Sequence, residues 1–312
     1  MANLTALQNI TEQSLNCTGH CGSLKPHLLR WSAVLLATSV FGVISNGVLL
    51  GVIGRSRTLR SGTGILISHV VVAQLLMCAV HFPVHVFLVY GKNFWSITYP
   101  AHTCTYAYFP NLATVFAIGW SEATLAVNRL IATVCPYHYP TWTTRRVGFA
   151  MVAACWVISC GTLLPFCFGV GGVFGSSSLG QCAALKSSFI TYSVIFSVNA
   201  YAPYTIVGVI AVTIICKVCA KKLAKKYTVA PDVTDPPVGL RTRALFRQRL
   251  NLAGMLFVSF LFSVVCSQPV ALSNTLFPAY QKSDPLFSLW LVLARLIQYS
   301  LSPVTKCNDT EK

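Results

Sequence analysis

Two ionisable side chains lie on one face of a long apolar stretch near the middle of this 312-residue chain. Glu122 and Arg129 are seven residues apart in "GWSEATLAVNRL", and seven residues make two turns of an α-helix. An acid and a guanidinium on one stripe of an apolar helix can form an ion pair or act as a charged switch. The alternative is that the arginine extends from the helix end to a polar interface.

The composition is that of a membrane protein rather than a soluble enzyme. Hydrophobic residues make up 54% of the chain and charged residues 10%, whereas soluble domains contain about 25% charged residues. The net charge of +16 does not indicate nucleic-acid binding, because the basic residues cluster in short segments between apolar stretches. The His and Cys residues lack metal-ligand spacing, and no nucleophile elbow or phosphate-binding loop is present. We therefore expect no enzyme activity, metal or cofactor.

The apolar stretches predict an all-α bundle of seven helices in the lipid bilayer. Each stretch reaches the roughly 20 residues that cross a membrane. The predicted spans are Leu28–Gly54, Ile65–Tyr90, Ala101–Val134, Val147–Val170, Ser188–Val218, Leu245–Phe277 and Pro285–Lys306.

The charges between the spans predict the orientation. Basic residues cluster at 55–60, 145–146 and 217–249, which the positive-inside rule assigns to the cytosol. We expect an extracellular tail over residues 1–27, a bundle over 28–306 and a cytoplasmic tail over 307–312, either truncated or naturally short. The protein would then be a multi-pass plasma-membrane protein. Three glycosylation triplets agree with an external N-terminus, and they begin at Asn3, Asn9 and Asn16.

Motifs in successive spans give the chain its resemblance to one family. The segment "SNGVLL" contains Asn46, and Cys104 precedes Arg129 by 25 residues. In this order and spacing, the chain resembles rhodopsin-like (class A) G-protein-coupled receptors over Leu28–Lys306. The remaining matches are Cys182, Trp156, Pro203, Pro269 and Pro303.

The resemblance implies several roles for these residues. Cys104 and Cys182 would form the disulfide of the family. The triplet Asn128-Arg129-Leu130 looks like the family's DRY motif, whose arginine restrains the resting state and then contacts the G protein. Asn128 cannot form the usual ionic lock to Arg129, which predicts weaker restraint. The Asn-Arg pair and "VCPYHY" also resemble the melatonin-like group of receptors.

Other positions depart from the family pattern, and these are switch positions. Gln74 replaces the aspartate of the second helix, and Ser267 replaces the tryptophan of the "CWxP" motif. Ser302 and Lys306 fall within the segment that replaces "NPxxY", and Ala211 replaces a tyrosine of the fifth helix. These substitutions argue against activation by the usual mechanism of the family, whereas the retained prolines and cysteines support the fold.

Lys306 and Glu122 would face each other in the family fold, so an ion pair between them is one prediction. The alternatives are a protonated Glu122 and a Lys306 that extends to lipid headgroups. Cys17 and Cys21 could pair with each other or with other residues, and the sequence does not decide this.

A ligand pocket is expected in the outer half of the bundle. By the resemblance, Arg295 lies at the depth of the pocket floor, where it would anchor a carboxylate or phosphate or bond within the bundle. Asn111 stands where amine receptors carry an aspartate, which disfavours a monoamine ligand. Further candidates are His81, His85, Asn199, Gln268 and Asn274.

The sequence thus favours a receptor that binds an extracellular ligand and activates a heterotrimeric G protein. The lost switch residues keep a second interpretation open, a receptor-like protein with impaired signalling that acts as a scavenger, a scaffold or a partner in a homo- or heterodimer. A transporter is a weaker alternative, because neither inverted repeats nor broken helices are evident.

Overall fold

The computed structural model describes most of the helical bundle. For residues 21–23, 140, 186, 189, 218, 221–228, 285 and 303–307 we describe the backbone alone. The described residues are 21–55, 62–100, 102–134, 137, 139–186, 189–228, 258, 260–273, 276–277 and 284–307.

Helices occupy all seven predicted spans, which confirms the all-α prediction. Helix α2 contains a π-helical turn at Met77–His81, and α5 contains another at Ser197–Tyr201. The helices are α1 (Cys21–Arg55), α2 (Gly62–Phe94), α3 (Thr103–Val134), α4 (Arg145–Cys167), α5 (residues 189–228), α6 (Phe260–Ser273) and α7 (Pro285–Cys307). Four of them, α1, α2, α4 and α5, are long and apolar enough to cross a membrane.

Two helices extend beyond the predicted spans. Helix α1 begins at Cys21 rather than Leu28, so it includes part of the predicted N-terminal tail. Helix α5 continues past Val218 to Thr228. The extension is rich in Ala, Leu and Lys, which favour the helix without being uniformly apolar. An apolar stretch therefore marks the lipid-facing part of a helix and not its end.

Apolar side chains from α1, α2 and α7 form one core of the bundle. Trp31 is 1% exposed, and its indole N–H donates to the carbonyl of Leu289 over 3.1 Å, which joins α1 to α7. Phe82 and Tyr299 are buried in the same cluster. A second cluster joins α2, α3, α4 and α5, and a third joins α3 and α5 with Phe260.

A β-hairpin connects α4 to α5 at one end of the bundle. Strands β1 (Gly172–Ser176) and β2 (Cys182–Lys186) pair antiparallel. Cys182 at the start of β2 is bonded to Cys104 in the first turn of α3, which gives the disulfide implied by the resemblance. We call this end the disulfide end, and the opposite end of α3 the Arg129 end.

Helix α2 also holds the hairpin in place. The ammonium of Lys92 donates to the carbonyl of Ser177 over 2.9 Å, and the amide of Asn93 donates to the carbonyl of Leu179 over 2.8 Å. Gly180 has φ +85°, and a Cβ there would lie 3.0 Å from the carbonyl oxygen of Leu88. The tight turn therefore requires glycine for its backbone conformation and for its contact with α2.

We predict that replacing Cys104 and Cys182 together with serine destabilises the protein. The bond closes a loop between residues 78 positions apart, and removing such a bond typically costs about 2–4 kcal/mol. Thermal unfolding of the purified protein should show a lower melting temperature. Cys219→Ser is the matched control, because Cys219 is free and exposed. Equal melting temperatures for the double variant and the control would contradict the prediction.

Candidate functional site

The Arg129 end of α3 is connected to α2 through Asn128. The Asn128 side chain is 2% exposed, and its amide donates to the Thr63 hydroxyl over 2.8 Å. The Thr63 hydroxyl lies 3.3 Å from the hydroxyl of Tyr139. Arg129 is half-buried, and no described side chain bonds its guanidinium. Asn128 therefore bonds to a neighbouring helix where the family motif has an acid beside the arginine. Leu130 is half-buried and packs on the α3–α5 cluster.

A hydrogen bond between α2 and α7 occupies the position of two altered motifs. The amide of Gln74 donates to the Ser302 hydroxyl over 3.1 Å, and both side chains are buried. Nearby, the amide of Asn46 donates to the carbonyl of Tyr299 over 3.2 Å. The two substituted residues thus bond to each other, and α7 remains tied to α1 and α2 at this level.

Glu122 lies half-buried between the two ends of α3. It is close enough to the hydroxyls of Tyr204 and Tyr299 to act on them electrostatically. The side chains of Lys306 and Pro303 lie outside the described residues. The Glu122–Lys306 ion pair therefore stays a prediction.

A hydrogen-bonded cluster stands where the family carries its tryptophan. Ser267 donates to Oε1 of Gln298, and Nε2 of Gln298 donates to the Ser263 hydroxyl over 2.8 Å. The Tyr204 hydroxyl lies beside Ser267 and Gln298. Gln298 is 2% exposed, so this cluster connects α6 to α7 in the interior of the bundle. Ser267 was recognised in the sequence as a lost residue, whereas its partner on α7 was not predicted.

A cavity lies beside this cluster, between α3, α5, α6 and α7. Its volume is about 40 Å³, which is room for a few water molecules. The wall on α3 is apolar, and the walls on the other helices carry most of the polar groups. The lining residues are Val115, Phe116, Gly119, Phe196, Asn199, Ala200, Tyr204, Ser267, Gln268, Ala271 and Arg295.

Four of the predicted pocket residues come together towards the disulfide end. We call His81, His85, Asn111 and Arg295 the Arg295 cluster. The amide of Asn111 lies 3.0 Å from Nε2 of His85, and Arg295 and His81 are close enough to His85 to act on its charge. Arg295 also lines the cavity, so it belongs to both groups.

The other predicted pocket residues have different surroundings. The Asn199 amide donates to the Thr162 hydroxyl over 2.8 Å, and its oxygen accepts from the Trp120 indole over 3.3 Å. Asn199 therefore lines the cavity but is already bonded on both sides. Gln268 lines the cavity with only a 3.4 Å bond to the carbonyl of Ala200. Outside the described residues lie Asn274, the glycosylation candidates Asn3, Asn9 and Asn16, Cys17 and the side chain of Cys21.

The sequence analysis did not identify His69, although a histidine within a span is a signal of function or of bonding between helices. Its Nε2 accepts from the Trp156 indole over 2.8 Å, and its Nδ1 lies 3.0 Å from the Ser121 hydroxyl. Since an indole only donates, His69 carries its proton on Nδ1 and donates it to Ser121. His69 thus joins α2, α3 and α4.

We predict that Gln298→Leu destabilises the bundle, because it leaves the hydroxyls of Ser263 and Ser267 without their partner. A buried polar group left unbonded costs about 1–3 kcal/mol. The melting temperature of the purified protein should fall below that of the matched control Gln268→Leu, which loses only a long hydrogen bond. A Gln298→Leu variant that melts with the control would contradict a structural role for the cluster.

Comparison with known proteins agrees with this geometry. Residues 45–304 match the family described as "7 transmembrane receptor (rhodopsin family)". The chain is 25% identical over 250 residues to a D(2)-like dopamine receptor of Takifugu rubripes, which covers 75% of the chain and 50% of that receptor. It is 28% identical over 212 residues to the D(3) dopamine receptor of Mus musculus, with 63% and 43% covered.

A third similar protein is an opsin, the compound eye opsin BCRH2 of Hemigrapsus sanguineus, at 27% identity over 158 residues. That match covers 50% of the chain and 40% of the opsin, so the chain spans about half or less of these relatives. The melatonin-like subgroup stays a prediction. The family match extends over most of the chain, and the chain therefore belongs to the rhodopsin family of seven-transmembrane receptors.

Proposed function

We propose that the protein is a G-protein-coupled receptor. It binds an extracellular ligand in the half of the bundle towards the disulfide end and activates a heterotrimeric G protein at the Arg129 end. Ligand binding shifts a pre-existing equilibrium between helix arrangements, which opens the Arg129 end. The family supports a receptor, and the positions of Asn111 of the Arg295 cluster and of Arg129 in opposite halves of α3 support this division of roles.

The observation that carries the proposal is the environment of Arg129. Its neighbour Asn128 is bonded to Thr63 on α2 and has no charge to offer the guanidinium. Neither residue adjacent to Arg129 in the sequence is acidic, and no described side chain bonds its guanidinium, which favours a guanidinium available to a G protein. The basic segments that flank this end support a cytosolic location.

The ligand we propose is not a monoamine, although two of the relatives are named as dopamine receptors. An ammonium group needs a nearby carboxylate, and Asn111 supplies none. His85 and Arg295 lie at the same level, and a guanidinium would repel a second cation. The site therefore favours a neutral or anionic ligand.

The proposed orientation has the N-terminus outside the plasma membrane and residues 307–312 in the cytosol. The positive-inside rule supports it. So does the disulfide, because such bonds persist in oxidising compartments and Cys104–Cys182 lies at the end opposite Arg129. Glycans on Asn3, Asn9 and Asn16 would agree with this orientation.

A second candidate function is a receptor-like protein with impaired signalling, such as a scavenger, a scaffold or a partner in a dimer. The bonds of Gln74 to Ser302 and of Ser267 to Gln298 favour it, because they fix α7 to α2 and α6 where the family's switch motifs lie. The nucleotide-exchange experiment below separates the two candidates.

We predict that Arg129→Glu abolishes basal guanine-nucleotide exchange. The charge reversal removes the group that contacts the G protein and places an acid at the interface. Exchange would be measured for several G-protein families in membranes from cells that express the chain at matched surface levels. Arg146→Glu is the matched control, since it makes the same change at an exposed residue at the start of α4.

Exchange that survives Arg129→Glu would refute coupling through this arginine. Exchange absent from the unmodified chain and from both variants would favour the signalling-impaired candidate. Loss in both variants but not in the unmodified chain would indicate a general charge effect at this end of the bundle.

We also predict that Asn128→Asp lowers basal exchange several-fold. An aspartate restores the acid that the family pairs with its arginine, and a charged pair at this position restrains the resting state. Asn128→Ala is the comparison, because it removes the bond to Thr63 without adding a charge. A fall of equal size in both variants would attribute the effect to the Thr63 bond and contradict the lock.

A further inference from the structure

Four buried polar atoms of the Arg295 cluster have no hydrogen-bond partner. They are Nε2 of His81, Nδ1 of His85, Oδ1 of Asn111 and Nε of Arg295. His81 and His85 are 6% and 5% exposed, and Asn111 is 1% exposed, so bulk water does not replace the missing partners. Buried polar groups are nearly always bonded, and each exception requires an explanation.

Two of these four atoms are hydrogen-bond donors. Arg295 Nε always carries a hydrogen. Nδ2 of Asn111 can only donate, so Nε2 of His85 accepts its hydrogen, and the neutral imidazole carries its own proton on Nδ1. The Arg295 cluster therefore offers a guanidinium N–H and an imidazole N–H that nothing in the protein accepts. Oδ1 of Asn111 is an acceptor that a ligand hydroxyl or a water could satisfy.

Few acidic residues lie in the predicted spans. Of the seven acidic residues of the chain, only Glu122 lies within a predicted span, and it acts on the same hydroxyls of Tyr204 and Tyr299 as Arg295 does. Asp284 lies before the first turn of α7, where it is exposed and caps Phe287. A partly buried guanidinium whose Nε has no hydrogen-bond partner is a site for an anion from outside the protein.

The cavity beside Arg295 provides an apolar compartment. Phe116 and Phe196 meet edge to face, with ring centroids 5.9 Å apart, and both line the cavity. Gly119 has Pro203 beside it, since a Cβ there would be in ordinary contact with Pro203 at 3.7 Å. Ser267 fills far less volume than the tryptophan of the family. An apolar group placed against Phe116 and Phe196 would have aromatic neighbours here.

We infer that the ligand of this receptor is a small organic acid with an apolar body. Its carboxylate accepts hydrogen bonds from Arg295 and the neighbouring His85, and its apolar part lies in the cavity beside Ser267, against Phe116 and Phe196. A single negative charge matches the single guanidinium of the cluster. The inference rests on the proposed receptor function only for the location of the site, and it names the ligand class that this function leaves open.

The test uses 3-phenylpropanoate as the probe, with two analogues of the same skeleton, 3-phenylpropan-1-ol and 3-phenylpropylamine. The full chain is purified, and its melting temperature is followed as each compound is titrated at pH 7.5, with sodium chloride as the ionic control. A ligand that binds the folded state raises the melting temperature saturably. We expect a saturable rise with the acid, at a half-maximal concentration at least about tenfold below that of the alcohol or the amine.

Two variants of Arg295 separate a ligand contact from a structural role. Arg295→Gln should abolish the shift caused by the acid, and Arg295→Lys should retain part of it because the charge remains. Without ligand, Arg295→Gln should melt at or above the temperature of the unmodified protein, since it removes a guanidinium whose buried Nε has no hydrogen-bond partner. A lower melting temperature for ligand-free Arg295→Gln would assign Arg295 to the structure of the bundle and overturn the inference.

Two variants of Ser267 test the apolar compartment. Ser267→Trp fills the cavity and should raise the half-maximal concentration of the acid at least about tenfold, because the ring of the probe loses its place. Ser267→Ala removes the same hydroxyl without filling the space, so it should raise the half-maximal concentration much less than Ser267→Trp does. Equal effects of the two variants would show that the cavity is not the site.

The remaining outcomes are also decisive. An equal shift with the amine, or an equal shift with sodium chloride, would overturn the inference, as would no shift with the acid at millimolar concentration. The melting experiment contains no G protein, so its failure leaves coupling through Arg129 untouched. A failed exchange experiment likewise leaves the binding of the acid untouched.

Discussion

Hydrogen bonds between buried side chains hold the helices of this bundle together, because the interior of a membrane offers no water to replace them. Several of these bonds end on α7. Asn46 bonds to the carbonyl of Tyr299, Gln74 bonds to Ser302, and Gln298 bonds to Ser263 and Ser267. They connect α7 to α1, α2 and α6. The position of α7 then determines where Arg295 lies, so the geometry of the candidate site depends on these bonds.

The departures from the family pattern are compensated in pairs. Gln74 lacks the charge of the usual aspartate, but Ser302 accepts its hydrogen bond. Ser267 lacks the indole of the usual tryptophan, but Gln298 bonds to it from α7. Each pair restores a hydrogen bond between helices and not the lost volume. The space beside Ser267 is consequently a cavity, and the loss of a large side chain has become room between the helices.

Much of the fold was predictable from the sequence, because lipid imposes simple rules on composition. Apolar length located the seven helices, and the resemblance to the receptor family implied the disulfide between Cys104 and Cys182. The end of α5 was not predictable, since apolar length reports lipid contact and not helix propensity. The π-helical turn at Met77–His81 also left no pattern, because it adds one residue to a turn without changing the composition.

The sequence indicated which residues share the region of the candidate site, but it did not indicate which of their polar groups are hydrogen-bonded. Depth along the helices brought Asn111 and Arg295 into one region. Which polar groups are bonded depends on side-chain directions across three or four helices, and a sequence does not record them. Asn199 and His85 were therefore indistinguishable as candidates, although Asn199 is bonded on both sides and His85 retains an unmet nitrogen.

The kind of unmet atom distinguishes the Arg295 cluster from the rest of the bundle. Asn46, Gln74 and Asn128 each have a bonded amide nitrogen and an unmet amide oxygen. Unmet buried acceptors are less rare in proteins than unmet buried donors. The Arg295 cluster instead leaves N–H groups unmet, one of them on a charged guanidinium. Each such donor lowers the free energy of unfolding by about 1–3 kcal/mol until an acceptor binds to it. The other buried amides of the described bundle bond to neighbouring helices, whereas these donors have no acceptor among the described residues. They are therefore available to an acceptor from outside the protein.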